Sequence, residues 1–237
     1  MQSVVVTGVS TGIGWGVAKV LIGRGYRVFG SVRNPADADR LRQEWGGLYV
    51  PLIFDVTDEA AVRAAAAQVR EALAGEPLAG LVNNAGIAVA GPLLLLPLAD
   101  FRAQLEVNLI GVVAVIQAFA PLLAVADGAD PEARPGRIVN ISSVGGKNAA
   151  PFLAPYAASK FGLEGLSESL RRELMILGID VIIVAPGTVA TAIWGKAEQV
   201  DINPYRGSVF FAPLEKIRAF MGGAPGLPPE RLGEAVA

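Results

Sequence analysis

Apolar and polar positions along the chain alternate between two periods. Short apolar, β-branched runs recur at Ser3–Val6, Arg27–Val32, 48–54, from Leu81 into Asn83, 137–142 and 181–184. Runs of this kind read as strands buried on both faces. Between them apolar residues return at helical spacing. Val17, Ala18, Val20 and Leu21 follow the first run, an alanine-rich stretch fills 58–73, and Phe161, Leu163, Leu166, Leu170 and Leu174 mark a helix over 156–177. Gly75 with Pro77, and later Gly178, supply stop signals, while Thr57 is the expected cap of the 58–73 helix, with Asp58 and Glu59 in its first turn. Residues 126–136 are turn formers and charges, hence a surface loop rather than a linker, because the alternation resumes at once. The pattern predicts an α/β fold, strands alternating with helices, as a single domain over 1–237.

Composition narrows the chemistry. With 237 residues, 52% hydrophobic and 18% charged, the chain can bury a large core. Its net charge is −2, and no basic run is longer than Arg171-Arg172, so nucleic acid is not an expected partner. Cysteine and histidine are both absent. Disulfides, thiolate nucleophiles, Cys/His zinc sites and any imidazole base are excluded with them. No basic region precedes the first apolar run, so the expected location is cytoplasmic. The segment 109–126 is the most membrane-like, but Gln117 and Pro121 interrupt it; a buried or interface helix is expected there, with no membrane partner.

The first strand runs into Thr7-Gly8-Val-Ser10-Thr11-Gly12-Ile13-Gly14, a glycine turn that opens a helix. Glycines there let the backbone approach a pyrophosphate, and the helix N-terminus offers free N–H groups to it; a tight turn without a ligand would look the same. Gly8 to Gly12 also satisfies the G-x-S-x-G pattern of a nucleophile elbow, which fails here for want of a histidine. The second strand ends in Ser31-Val32-Arg33-Asn34. A guanidinium instead of a carboxylate at that point suits the 2′-phosphate of NADP better than the 2′-hydroxyl of NAD. Asp55, closing the third strand, is placed to accept from an adenine amino group.

Tyr156 and Lys160 lie four apart on the predicted helix, with Cβ atoms about 6 Å apart on one face. A free phenol, with a pKa of about 10, is a poor acid or base near neutrality, and a neighbouring ammonium lowers that value. An isolated Tyr-x-x-x-Lys is more often only a pair on a helix surface. Ser142-Ser143 at the fifth strand's end reads alone as turn chemistry, and Asn83-Asn84-Ala85-Gly86 reads either as an ordinary turn or as a tie between strands that leaves room for a cofactor ring.

Together and in this order, Thr7-Gly8-x-x-x-Gly12-Ile13-Gly14, Asn83-Asn84-Ala85-Gly86, Ser143 and Tyr156-x-x-x-Lys160 make the chain resemble the short-chain dehydrogenase/reductase family from about residue 3 to 191. The resemblance implies a Rossmann fold, a doubly wound parallel sheet of order 3-2-1-4-5-6 with helices on both faces. It also implies hydride exchange between a nicotinamide cofactor, NADP(H) ahead of NAD(H), and a small apolar ketone or aldehyde with its alcohol. By matching position, Tyr156 is the proton donor, Ser143 polarises the substrate oxygen, Lys160 lowers the phenol's pKa and holds the nicotinamide ribose, and Asn108 supports a proton relay. The cofactor would lie against Gly8, Ser10, Thr11, Gly12, Ile13 and Gly14, then Arg33, Asp55 and Val56, then Asn84, Ala85 and Gly86. Tyr156, Lys160, Pro186, Gly187, Val189 and Thr191 complete that set. Residues 190–226, rich in Trp194, Tyr205, Phe210, Phe211, Phe220 and Met221, read as a substrate lid. The family's seventh strand has no counterpart before Ala237, where a helix beginning near Pro229 is expected. A homodimer or homotetramer is implied, with helices near 108–125 and 156–177 pairing across a two-fold axis. The rival readings are a regulatory protein that binds the nucleotide without catalysis, and a sugar-nucleotide epimerase, for which this length leaves too little substrate domain.

Overall fold

A computed structural model describes residues 1–125, 134–190, 201–222 and 226–237. Six strands form one parallel sheet in the order β3-β2-β1-β4-β5-β6, the order the family resemblance implies. They are β1 Ser3–Val6, β2 Arg27–Val32, β3 Tyr49–Ile53, β4 Gly80–Asn83, β5 Arg137–Ile141 and β6 Asp180–Val184. Among the described residues the helices are α1 Gly12–Gly23, α2 Pro35–Trp45, α3 Glu59–Leu73, α4 Leu98–Leu105, α5 Gly111–Phe119, α6 Ala154–Glu173, α7 Phe211–Gly222 and α8 Pro229–Val236.

The inner strands are mostly apolar because both of their faces are covered. In β1, Val5 points into a core shared with Val62 and Val69 of α3, Phe119 of α5 and Leu163 of α6. Val4 and Val6 point the other way, onto Val17 and Leu21 of α1 and Leu41 of α2. Successive side chains on a strand alternate faces, so a run of valines feeds both cores at once. β1 and β4 are neighbours in this order, and the connections that follow them run to opposite faces of the sheet. A crevice opens there, the place where open α/β sheets hold ligands.

Several local expectations shift under tertiary contacts. The cap of α3 is Asp58, whose Oδ1 accepts from Ala61 N at 3.0 Å; Thr57 instead spends its N–H and hydroxyl on Asp55 Oδ1. The apolar segment expected at 109–126 is the second half of a longer helical stretch, Leu98–Leu122, interrupted by a π-turn at Glu106–Ile110. By length and composition that stretch could cross a membrane; in this fold α4 packs on α6 and α5 packs on α3. The surface loop expected at 126–136 falls largely on 126–133, outside the described residues.

The expected C-terminal helix is present as α8 and lies along α1. The two backbones meet at Gly16 and Gly233, where a Cβ on Gly16 would stand 2.5 Å from the Pro229 carbonyl carbon. Lys19 and Glu230 pair across the same contact at 3.0 Å. No seventh strand occurs among the described residues, and β6 forms an edge of the sheet.

Candidate active site

The cavity at the switch point has a volume of about 460 Å³. One wall is the glycine turn. Gly8 and Gly12 both adopt left-handed backbone, with φ of 71° and 65°, which a side chain would strain. Thr11 begins α1 without a side-chain cap, so the first N–H groups of the helix keep no side-chain acceptor. Gly8, Ser10, Thr11, Gly12 and Ile13 line the cavity. Gly14 does not: it packs behind the turn, where a Cβ would collide with the Gly8 carbonyl oxygen and the Asn84 amide. Its part is to let the turn close, the task of a glycine at helix–strand contact.

The turn is braced by residues the sequence reading passed over. Gly8 N donates to Ser31 Oγ at 2.9 Å, and Arg40 Nη2 donates to the Ser10 carbonyl at 2.8 Å. Thr7 Oγ1 accepts from Asn84 N and Ala85 N, while Asn84 Nδ2 donates to the Thr7 and Gly8 carbonyls. Asn83 and Asn84 thus divide the labour foreseen for an amide pair. Asn83 Nδ2 donates to Asn140 Oδ1 at 2.8 Å and ties β4 to β5, and Asn84 locks β4 to the turn. Ser31 was legible in principle, since the β1–β2 register that pairs Val6 with Gly30 sets the next residue beside the turn.

At the end of the cavity beside β2 and β3, Arg33, Asp55 and Val56 share its wall. Arg33 Nη1 lies 3.6 Å from Asp55 Oδ2, while Asp55 Oδ1 is taken by Thr57. The contact foreseen between Asp55 and an adenine amino group therefore competes with two existing partners. Burial pushes the Asp55 carboxyl up, but the Thr57 hydrogen bonds and the Arg33 guanidinium together hold it below its ordinary value. An exposed pair at this distance is weak, so Arg33 is free to turn to a phosphate.

Ser143, Tyr156 and Lys160 converge on the cavity floor from the end of β5 and the first turns of α6. Ser143 Oγ accepts from Gly145 N at 3.0 Å and hydrogen-bonds the Tyr156 hydroxyl. Gly145 is needed for this closeness, because a Cβ there would come within 2.9 Å of the tyrosine ring. Lys160 Nζ donates to the Ile141 carbonyl at 2.7 Å and stands 5.9 Å from the centre of the Tyr156 ring.

The electrostatics differ from the sequence expectation. Burial raises the Tyr156 pKa above its ordinary value, and the effect opposing it is the Ser143 hydrogen bond, not the lysine charge. The cause lies in Lys160 itself. Burial lowers the ammonium to about 8, with Glu164 acting against that fall, and its nitrogen is drawn to the β5 carbonyl.

Asn108 sits in the π-turn, almost wholly buried. Its Oδ1 accepts from Ile87 N at 2.9 Å, and its Nδ2 donates to the Ile87 carbonyl and Ser159 Oγ. Both amide donors are spent on protein, so a proton relay at Asn108 is left to its carbonyl oxygens. Gln104, one turn earlier, repeats the clamp, accepting from Val89 N at 2.7 Å and donating to the Ile87 carbonyl at 2.9 Å. Two amides four apart on one face of an apolar helix were the signal that could have revealed this clamp.

Pro186, Gly187 and Val189 line the cavity's remaining side, and the Pro186 carbonyl accepts from Val144 N at 3.0 Å. Thr191 and Trp194 lie outside the described residues, as do the side chains of Phe220 and Met221. Of the expected lid, Ile202, Tyr205 and Leu214 form a small apolar cluster with Phe152 and Phe211. Phe152 is left-handed at φ 63°, an uncommon state for a bulky residue, and its carbonyl accepts from Gly91 N at 2.8 Å. Among the described residues no cluster of His, Cys, Asp or Glu could hold a metal ion.

A protein-family model described as "short chain dehydrogenase" matches residues 2–201. An NADPH-dependent 3-dehydrocapnine reductase of Ornithobacterium rhinotracheale is 40% identical over 220 residues, covering 91% of this chain and 76% of that protein. Retinol dehydrogenase 16 of Homo sapiens is 39% identical over 194 residues, covering 81% of this chain but only 58% of its own length. Among solved structures, a short-chain dehydrogenase of Streptomyces avermitilis superposes with a TM-score of 0.81 at 26% identity, over 99% of this chain and 82% of that one.

Proposed function

The chain belongs to the short-chain dehydrogenase/reductase family of oxidoreductases, and from that premise we propose that it reduces an apolar ketone or aldehyde with NADPH, using Tyr156 as the proton donor. The observation that carries this reading is the convergence of Ser143, Tyr156 and Lys160 on the cavity that begins at the glycine turn. A cofactor fits the residues present: two left-handed glycines, an uncapped helix start and a guanidinium follow one another along a single wall. NADPH, when bound, supplies the hydride.

The remaining work falls to side chains of this protein. The turn and α1 would hold the pyrophosphate, Arg33 the 2′-phosphate, and Lys160 the nicotinamide ribose. Ser143 positions the substrate oxygen against the Tyr156 hydroxyl, and Tyr156 gives that oxygen its proton as negative charge develops there. A phenol whose pKa is raised by burial stays protonated at neutral pH, which suits donation to an alkoxide and hence the direction of reduction. Ile87, Ala88, Val107 and Val189 share the cavity, and the match to an apolar substrate rests on them. The relative named as an NADPH-dependent reductase supports this choice of cofactor and direction.

The test is NADPH consumption by the purified protein with a panel of apolar ketones and aldehydes. Turnover with at least one of them is expected, and none across the panel refutes the reading. Arg33→Ala should raise the Kd for NADPH about tenfold while leaving that for NADH within about twofold, the loss expected of one charge-assisted contact. Equal effects on both cofactors would remove Arg33 from the 2′-phosphate. The pH dependence carries a sign. Lys160 is charged below about 8, so kcat/KM for reduction should be level at lower pH and fall about tenfold per unit above that value. A profile that rises through pH 8 contradicts a charged Lys160.

A further inference from the structure

Lys160 carries its charge in an unfavourable place. It is buried to 7% exposure, and the hydrogen bond that fixes its nitrogen runs to a neutral carbonyl, that of Ile141. One turn further along α6 is Glu164, also 7% exposed. Acidic side chains are rarely buried to this degree unless paired. Its Oε2 meets Lys147 Nζ at 2.8 Å, and that lysine reaches in from solvent with its side chain 66% exposed. Its Oε1 is buried and accepts no hydrogen bond among the described residues. Half of the carboxylate is thus anchored, and half faces the interior unshared.

The fold makes room for this arrangement at Gly146. A Cβ there would stand 2.9 Å from Ser142 Oγ, 3.1 Å from the Lys160 carbonyl and 3.2 Å from Glu164 Cγ. The turn after β5 can therefore lie directly on α6 and deliver Lys147 to the carboxylate. Other charged groups on the elements packed against α6 point elsewhere. Asp100, Arg102 and Glu106 on the α4 side are exposed, and Asp180 at the start of β6 pairs with Arg137 at the surface. Glu164 is the charged neighbour that acts on Lys160.

We infer that Glu164 is a positioning residue that acts through Lys160: its buried carboxylate, anchored at one oxygen by Lys147, supplies the negative charge that keeps the Lys160 ammonium protonated at the cavity floor. Spacing four residues apart puts both side chains on one face of α6, and with little water between them a unit charge at that range is felt strongly. The consequence for turnover rests on the roles proposed above for Tyr156 and Lys160. The titration of Lys160 does not.

The chain contains five lysines, at 19, 147, 160, 196 and 216, so ¹⁵N-lysine labelling gives a spectrum simple enough to follow each ammonium through pH. Lys160→Met assigns the resonance in the full-length, cofactor-free protein. Glu164→Gln should lower the Lys160 midpoint by about one pH unit or more, and Glu164→Asp should restore most of that shift. Because the single change leaves Lys147 without its partner, a Lys147→Met/Glu164→Met double variant serves beside it; exchanging a buried pair for apolar side chains of similar volume commonly preserves folding. The double variant should show the same downward shift, and the alkaline limb of kcat/KM should move with it. A folded double variant whose Lys160 midpoint is unmoved overturns the inference and leaves Glu164 a packing residue. A shifted midpoint in a protein that never oxidises NADPH sustains the inference and refutes the proposed reaction instead.

Discussion

Tyr156→Phe should lower kcat for carbonyl reduction about a thousandfold, within the range that loss of a positioned general acid produces, while the Kd for NADPH changes by less than about twofold. The substitution removes one oxygen from a ring that is already packed, and the Ser143 hydroxyl that loses Tyr156 keeps its hydrogen bond from Gly145 N. The glycine turn and Arg33, proposed above to hold the cofactor, are untouched. Separating the two effects matters, since a fall in both would report disruption of the site rather than loss of a proton. NADPH fluorescence for binding and steady-state turnover for chemistry make the distinction. Retention of a tenth or more of wild-type kcat would take the proton donation away from Tyr156.

The second large effect is expected at a residue that touches no ligand. Gly14→Val should weaken NADPH binding by at least about a hundredfold and lower the melting temperature by several degrees, since forced overpacking costs about 1–3 kcal/mol. Its new side chain would drive into the Gly8 carbonyl and the Asn84 amide, the contact by which β4 holds the turn closed. The turn must then open or α1 must retreat, and either movement takes the helix N–H groups away from the pyrophosphate they would meet. The measurement is cofactor titration alongside thermal unfolding. If affinity survives while stability falls, Gly14 serves only packing and the geometry of the turn tolerates its loss.

These two residues also mark the limits of reading the chain unaided. Tyr156 was legible because its spacing to Lys160, together with the glycine turn, Asn83-Asn84-Ala85-Gly86 and Ser143, makes the chain resemble a known family; helical periodicity adds only that the two share a face. Gly14 was assigned to the cofactor because it belongs to the same short motif as Gly8 and Gly12, yet its constraint comes from Asn84, seventy residues away in the chain. The cap of α3 shows the same effect at short range. Thr57 and Asp58 are both good caps, and the choice fell to Asp58 because Asp55 already held the threonine. Ser31, Arg40 and Gln104 went unnoticed for a related reason: each is an ordinary polar residue until a backbone group from elsewhere arrives beside it.

The alternation of periods was enough for the strands, the helices and the shared face of Tyr156 and Lys160, because these are local properties of the backbone, while the strand order and the place of Ser143 beside that pair came from the family resemblance. The sequence by itself could not determine what those groups feel. It took the folded chain to show that burial raises the Tyr156 phenol while Ser143 opposes it, and that Lys160 turns to the Ile141 carbonyl with Glu164 one turn further along α6. Charge and acidity depend on how much water is excluded and on which atoms take its place, and both are set by segments that meet only when the chain has folded.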